Sequence, residues 1–261
     1  MNVFGWLVEH VWIEIAIQAA ILLFLIFSVS LASHTARVIE LKPLKLPASP
    51  EERPLVETDA DRNLMNLGFH WIGDFDTSTS DKVVMLSRFY TSIDNLHHAV
   101  ILNVHHEFDR FSLLEFCTSL APRGSVSTNN NRQLGIFSYR LEKLVVRAPW
   151  KRSVKELLDL HASLCEVAVQ NGFTPHRISI SELPAHILAD SRADMEGERA
   201  RGCMRPLTSN TYRTTFKGAL LYTPRIWLKM THGLWFGWCQ PTDRKLMNCA
   251  QRRFARAARE G

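Results

Sequence analysis

Histidine and cysteine side chains supply most of the chemistry this chain could perform. His97, His98, His105 and His106 have the residue types of a four-ligand metal set. Their spacing defeats it. On one strand, eight residues at ~3.3 Å each hold the two pairs ~26 Å apart, too far for one ion. A smaller set, His105, Glu107 and Asp109, falls at alternate positions on one strand face. Nothing is at hand to orient those ligands, so it reads as a polar outer face beside a turn. No metal site is therefore predicted.

His161 and Cys165 lie four residues apart, which makes them neighbours on a helix face. An imidazole beside a thiol can generate a thiolate nucleophile, so this pair is the candidate catalytic site. The competing reading is ordinary core: a buried cysteine is frequently inert, and a buried histidine is usually satisfied by hydrogen bonds. G-x-S-x-G, Walker A, G-x-G-x-x-G and H-E-x-x-H are all absent from the sequence. Their absence argues against the common hydrolases, kinases and dinucleotide enzymes, and no cofactor is predicted.

The elements that must position these groups follow from periodicity. Thr58 and Asp61 read as a capping box for a short helix with Gly68 as its stop. Phe69, Trp71 and Phe75 alternate, predicting a strand with one aromatic face. Further strands are expected at 82–91, 97–108 and 111–120, joined by short turns and hence antiparallel. The polar run Ser127 to Arg132 reads as a loop, with another strand near Ile136–Arg140. Ser153 and Glu156 form a second capping box. They open a helix that carries Val154, Leu157, Leu158, His161, Leu164, Cys165 and Ala168 on one side and ends at Asn171-Gly172. Residues 176–181 read as a strand, Pro184 opens a charged, solvated helix to about Arg201, and 211–218 read as a last strand. Strands first and helices later, without βαβ alternation, predict an α+β fold with a mainly antiparallel sheet.

The ends of the chain suggest a membrane. Residues 11–32 (VWIEIAIQAAILLFLIFSVSLA) have about the length an α-helix needs to cross a bilayer. The sequence thus predicts one transmembrane helix after a short segment 1–10. No Lys or Arg precedes it, while Arg37, Lys42, Lys45 and Arg53 follow. That asymmetry predicts the N-terminus outside and a cytoplasmic domain. A Pro-rich tether is expected over 33–57 and a globular domain over 58–218. Segment 219–239 is rich in aromatics. A helix starting at Pro224 would place Trp227 and Trp238 on one face with Arg225 and Lys229 off it. With Trp235, these are the predicted membrane-contact residues.

Composition agrees with one domain in a reducing compartment. The chain has 261 residues, is 46% hydrophobic and carries five widely spaced cysteines without a C-x-x-C. Of the net charge of +5, six cations less two acids place +4 in the basic tail 240–261. Charge so localised does not describe a nucleic-acid binder, and none is predicted. The expected partners are the lipid bilayer and a protein beside it. The sequence thus predicts a membrane-surface binding or scaffold module, or else a membrane-surface enzyme using His161 and Cys165.

Overall fold

The computed structural model describes residues 17–29, 32, 35–39, 41–44, 58–78, 83–106, 109–131, 139–151, 153–224 and 242–260. In these residues eleven strands and six helices build an α+β fold with a mixed sheet. The strands are β1 (Thr35–Arg37), β2 (Lys42–Pro43), β3 (Phe69–Asp76), β4 (Val83–Ser92), β5 (His98–His106), β6 (Asp109–Ala121), β7 (Ser125–Asn129), β8 (Lys143–Arg147), β9 (Thr174–His176), β10 (Met204–Thr208) and β11 (Thr211–Thr214). The helices are α1 (17–29), α2 (Asp59–Asn66), α3 (Val154–Gln170), α4 (Leu183–Ala200), α5 (216–224) and α6 (Asp243–Glu260).

The large sheet runs β2-β3-β4-β5-β6-β7-β8. Successive strands pair antiparallel from β2 to β7, with short connections from β3 onward, whereas β7 and β8 pair parallel. β9 pairs with Ser119–Ala121, beyond the point where β5 leaves the edge of β6. On one face α3 lies over β6 and β7, with α2 and α6 beside it. Leu64, Phe116, Val126, Leu157, Leu164 and Phe254 are fully buried in that core. On the other face the start of α4 covers Phe75, Phe89 and Ile178. A small sheet, β1-β11-β10, packs Met204 and Tyr212 against Met195 of α4.

Both predicted capping boxes form. The Thr58 hydroxyl and the Asp61 carboxylate bond reciprocally to each other's backbone N–H, as do Ser153 and Glu156. Gly68 at φ +84° and Gly172 at φ +86° end their helices in the left-handed region. A third start was not legible. The Thr215 hydroxyl accepts from Gly218 N at 3.0 Å and donates to the Gly202 carbonyl at 2.7 Å, capping α5.

Several expectations need correction. Among the described residues no helix is long and apolar enough to cross a membrane. Within α1 Ser28 is fully buried and shares a 3.0 Å hydrogen bond with Thr223 of α5. The predicted transmembrane helix, the single-pass topology and the orientation with a cytoplasmic domain fall with that finding. Part of the expected tether is domain: β1 pairs with β11, β2 pairs with β3, and Val38 and Leu41 are buried. Residues 45–57 lie outside the described residues.

In β3 the predicted single aromatic face is split. Phe69 aligns with Ser92 but Phe75 with Ser87, and the register shifts between Trp71 and Gly73. That one-residue bulge reverses the alternation, so Phe69 joins the α3 core and Phe75 the α4 core. The 176–181 strand is β9, three residues long and displaced towards the N-terminus. The predicted loop at Ser127 is the strand β7, and α5 is already helical where Pro224 was expected to begin a helix. The basic tail is largely α6, which buries Ala250, Phe254 and Ala257 in the main core.

Candidate functional site

His161 sits in the middle of α3 because Val154, Leu157, Leu164 and Ala168 press that face onto β6 and β7. The imidazole is completely buried. An imidazole has two ring nitrogens to satisfy, and both find threonine hydroxyls. Nε2 is 2.8 Å from Thr118 Oγ1 and Nδ1 is 3.0 Å from Thr128 Oγ1. Thr118 of β6 and Thr128 of β7 are strand neighbours whose side chains share the α3 face. Cys165 Sγ lies 3.7 Å from His161 Nε2, one helical turn along.

The fifth member is His97, which the sequence grouped with the wrong histidines. It lies just before β5, and its neighbour His98 opens the strand. Adjacent residues in extended chain point to opposite faces. His97 therefore enters the α3 side, with its Nδ1 2.7 Å from Thr118 Oγ1 and its ring 5.7 Å from that of His161. A tight turn fixes it. Ser92 N donates to the His97 carbonyl at 2.8 Å, and His97 N donates to Ser92 Oγ at 3.0 Å. Asn95 supplies the positive φ of +57° that the turn requires. Thr118 is thus a hub whose single hydroxyl joins both imidazoles.

Burial sets the charge states here. It pushes the His161 imidazole down to about 3, with His97 close by adding to the effect. Burial also lowers His97. It raises the Cys165 thiol to about 11, against a smaller opposite pull from its bond with Thr118. At neutral pH the cluster is thus two neutral imidazoles and a neutral thiol, not a thiolate–imidazolium pair. Without added chemistry the predicted nucleophile is protonated. A direct measurement follows. Under native conditions the exposed Cys249 is expected to react with iodoacetamide at least about 100-fold faster than Cys165. Peptide mapping by mass spectrometry reads the two rates, and equal rates would show that Cys165 is open.

The opposite face holds a second polar cluster. His98 is 3% exposed, and neither ring nitrogen has a partner among the described residues. Its neighbour across the ladder is Cys117, whose thiol burial pushes well up, with Glu115 close by raising it further. Beyond it, Lys143 Nζ is 2.6 Å from Asp190, and Asp194 is also bound. Arg140 bridges the same two carboxylates. These ion pairs clasp α4 to β8, so the helix read as charged and solvated is pinned along one side.

The remaining predicted positions divide as follows. His98 and His105 lie far apart along β5, as the spacing argument requires. The His105, Glu107 and Asp109 set falls partly outside the described residues. Arg225, Trp227, Lys229, Trp235 and Trp238 lie wholly outside them. What sequence reasoning missed was Thr118, Thr128 and His97. The available signal was a buried histidine needing two partners, and hydroxyls at alternate positions in flanking strands. Comparison with protein families, with curated proteins and with solved structures finds no match.

Proposed function

We infer that this chain is a binding module whose partner is another protein with an apolar helical surface, not an enzyme centred on His161 and Cys165. One observation carries the reading. Seven large apolar side chains of α1, Ile17, Ile21, Leu22, Leu23, Leu25, Ile26 and Val29, are 43% to 62% exposed. Only the side bearing Phe24, Phe27 and Ser28 is less exposed, and Ser28 meets α5. A helix apolar on most of its circumference is one that is covered in its working state.

The magnitude is adequate. Covering seven half-exposed aliphatic side chains is worth roughly 5–10 kcal/mol before the costs of association. A flat surface would cover one stripe alone. The wide exposed arc instead fits a groove between partner helices, entered as an anchor helix enters its receptor. Against the enzyme reading stand the complete burial of His161 and the protonated state of the Cys165 thiol.

A photo-crosslinking amino acid placed at Leu22 or Ile26 of the full chain tests this. It is expected to give a discrete protein adduct. The same group at Asp159, on the exposed side of α3, is expected to give none. Adducts to lipid or detergent alone, or equal adducts from all three positions, would overturn the reading.

A further inference from the structure

We propose that His97, His161 and Cys165 form a binding site for one divalent cation of the zinc class. Among the described residues this is the one set of three metal-ligating side chains whose donor atoms lie within 4.8 Å of one another. The set does not depend on the binding-module reading; it lies in the α3 core.

Distances and donor types agree. Zn–S of ~2.3 Å and Zn–N of ~2.05 Å at tetrahedral angles place sulfur and nitrogen ~3.6 Å apart. Cys165 Sγ and His161 Nε2 stand 3.7 Å apart on consecutive turns of one rigid helix. Two imidazoles and a thiolate are a borderline-soft set that suits zinc and disfavours magnesium or calcium.

The surroundings are those of an oriented ligand. A metal-bound histidine ordinarily donates its other ring N–H to an acceptor, which fixes the tautomer. With His161 Nδ1–H donating to Thr128 Oγ1, Nε2 presents its lone pair to Cys165 and Thr118. The Thr118 hydroxyl joins the two imidazoles at 2.7 and 2.8 Å, donating to His161 Nε2 and accepting from His97 Nδ1–H, so it marks the place where the two ring nitrogens converge; the other tautomer of His97 turns its Nδ1 lone pair to the same point. A cation there replaces those two hydrogen bonds, leaving the threonine oxygen or a water as fourth ligand. His97 arrives from a turn fixed by Ser92 and is half-buried, so its ring can close the remaining distance.

The exchange balances simply. The Cys165 S–H bond breaks, a sulfur–metal bond forms, and one proton leaves to solvent. Nothing is oxidised or reduced. Because the ligands are buried, the ion enters as the domain folds or during local opening, so uptake is slow and release slower.

The full chain, refolded with Zn²⁺ and then passed through a desalting column, is expected to retain one equivalent of zinc. Refolded with Co²⁺, it is expected to show the near-ultraviolet sulfur-to-cobalt charge-transfer band together with the strong visible bands of a four-coordinate site. Cys165→Ser should abolish the charge-transfer band. His97→Ala should weaken zinc affinity at least tenfold. Cys117→Ser and Cys249→Ser should change neither. His97→Ala alters a half-buried turn residue, so it serves if Cys165→Ser does not fold. Retention of less than a tenth of an equivalent, survival of the band in Cys165→Ser, full affinity in His97→Ala, or loss of the band in Cys249→Ser would each overturn the proposal.

Discussion

Arg88→Met is expected to cost about 3–5 kcal/mol of folding stability at pH 7, because it strands two carboxylates in the protein interior. Arg88 Nε and Nη2 bond Asp74 at 2.8 and 3.0 Å, and Nη1 bonds Asp61 at 3.2 Å. Side-chain exposure is 9% for Arg88, 2% for Asp61 and 1% for Asp74. Tyr90 OH and Thr58 Oγ1 also donate to Asp61, and Trp71 Nε1 donates to Asp74. The cluster thus staples the capped start of α2 to β3 and β4. Methionine keeps the length of the side chain, so the loss isolates charge from packing.

The sign with pH distinguishes this from a cavity effect. Burial alone raises the Asp61 carboxyl, but hydrogen bonds from Thr58, Tyr90 and Arg88 outweigh it and hold the group below its usual range. A depressed carboxylate contributes stability above its unfolded pKa of ~3.9 and loses it as pH falls through the lower folded value. Without Arg88, Asp61 keeps its bonds from Thr58 and Tyr90 but loses one of the interactions that hold its carboxyl down, so it takes up a proton more readily than in the parent. The penalty of the variant should therefore be larger at pH 7 than at pH 4, as read by urea unfolding at both. Equal penalties, or a loss below about 1 kcal/mol, would refute the stranded-charge account.

The second large effect is Gly218→Ala, expected to cost about 3 kcal/mol by overpacking. In an exposed helix the same change would stabilise by roughly 1 kcal/mol. Here a Cβ would meet the Cys203 carbonyl oxygen at 2.1 Å and its carbon at 2.8 Å. Those are backbone atoms, and the oxygen is already held by Thr215 N at 2.9 Å. To make room, α5 must lift from the segment entering β10. That would pull fully buried Tyr222 from Glu198, whose carboxylate accepts its hydroxyl. Thermal unfolding beside a Lys217→Ala control reads the difference, and an unchanged midpoint would mean that α5 yields freely.

Local chemistry was legible in the sequence wherever it acts over three or four residues. Thr58 with Asp61, Ser153 with Glu156, Gly68 and Gly172 all carry helix boundaries in their own types. So did the face of α3 that presents His161 and Cys165. What failed was what depends on partners far along the chain. β7 reads as a polar loop because Ser127, Thr128 and Asn129 are hydrophilic, yet all three are buried. Their polar groups are satisfied by neighbours that only the fold supplies: Glu115 for Ser127 and His161 for Thr128. The bulge in β3 has no compositional mark beyond Gly73. An apolar run such as residues 17–29 indicates that a segment must be covered, but not by what. The cluster at Thr118 needs residues from a turn, two strands and a helix, so no spacing in the sequence announces it.

The place of α6 in the main core has a consequence for how the molecule comes into being. Phe254 is fully buried and packs against Phe173 in a tilted arrangement with ring centroids 5.3 Å apart. During synthesis every strand of the large sheet leaves the ribosome before this helix does, so the nascent domain waits with an oily flank bare to solvent and chaperones. A stop codon anywhere ahead of Phe254 would freeze it in that state, and such products should be cleared by proteolysis instead of accumulating as a shortened, working form.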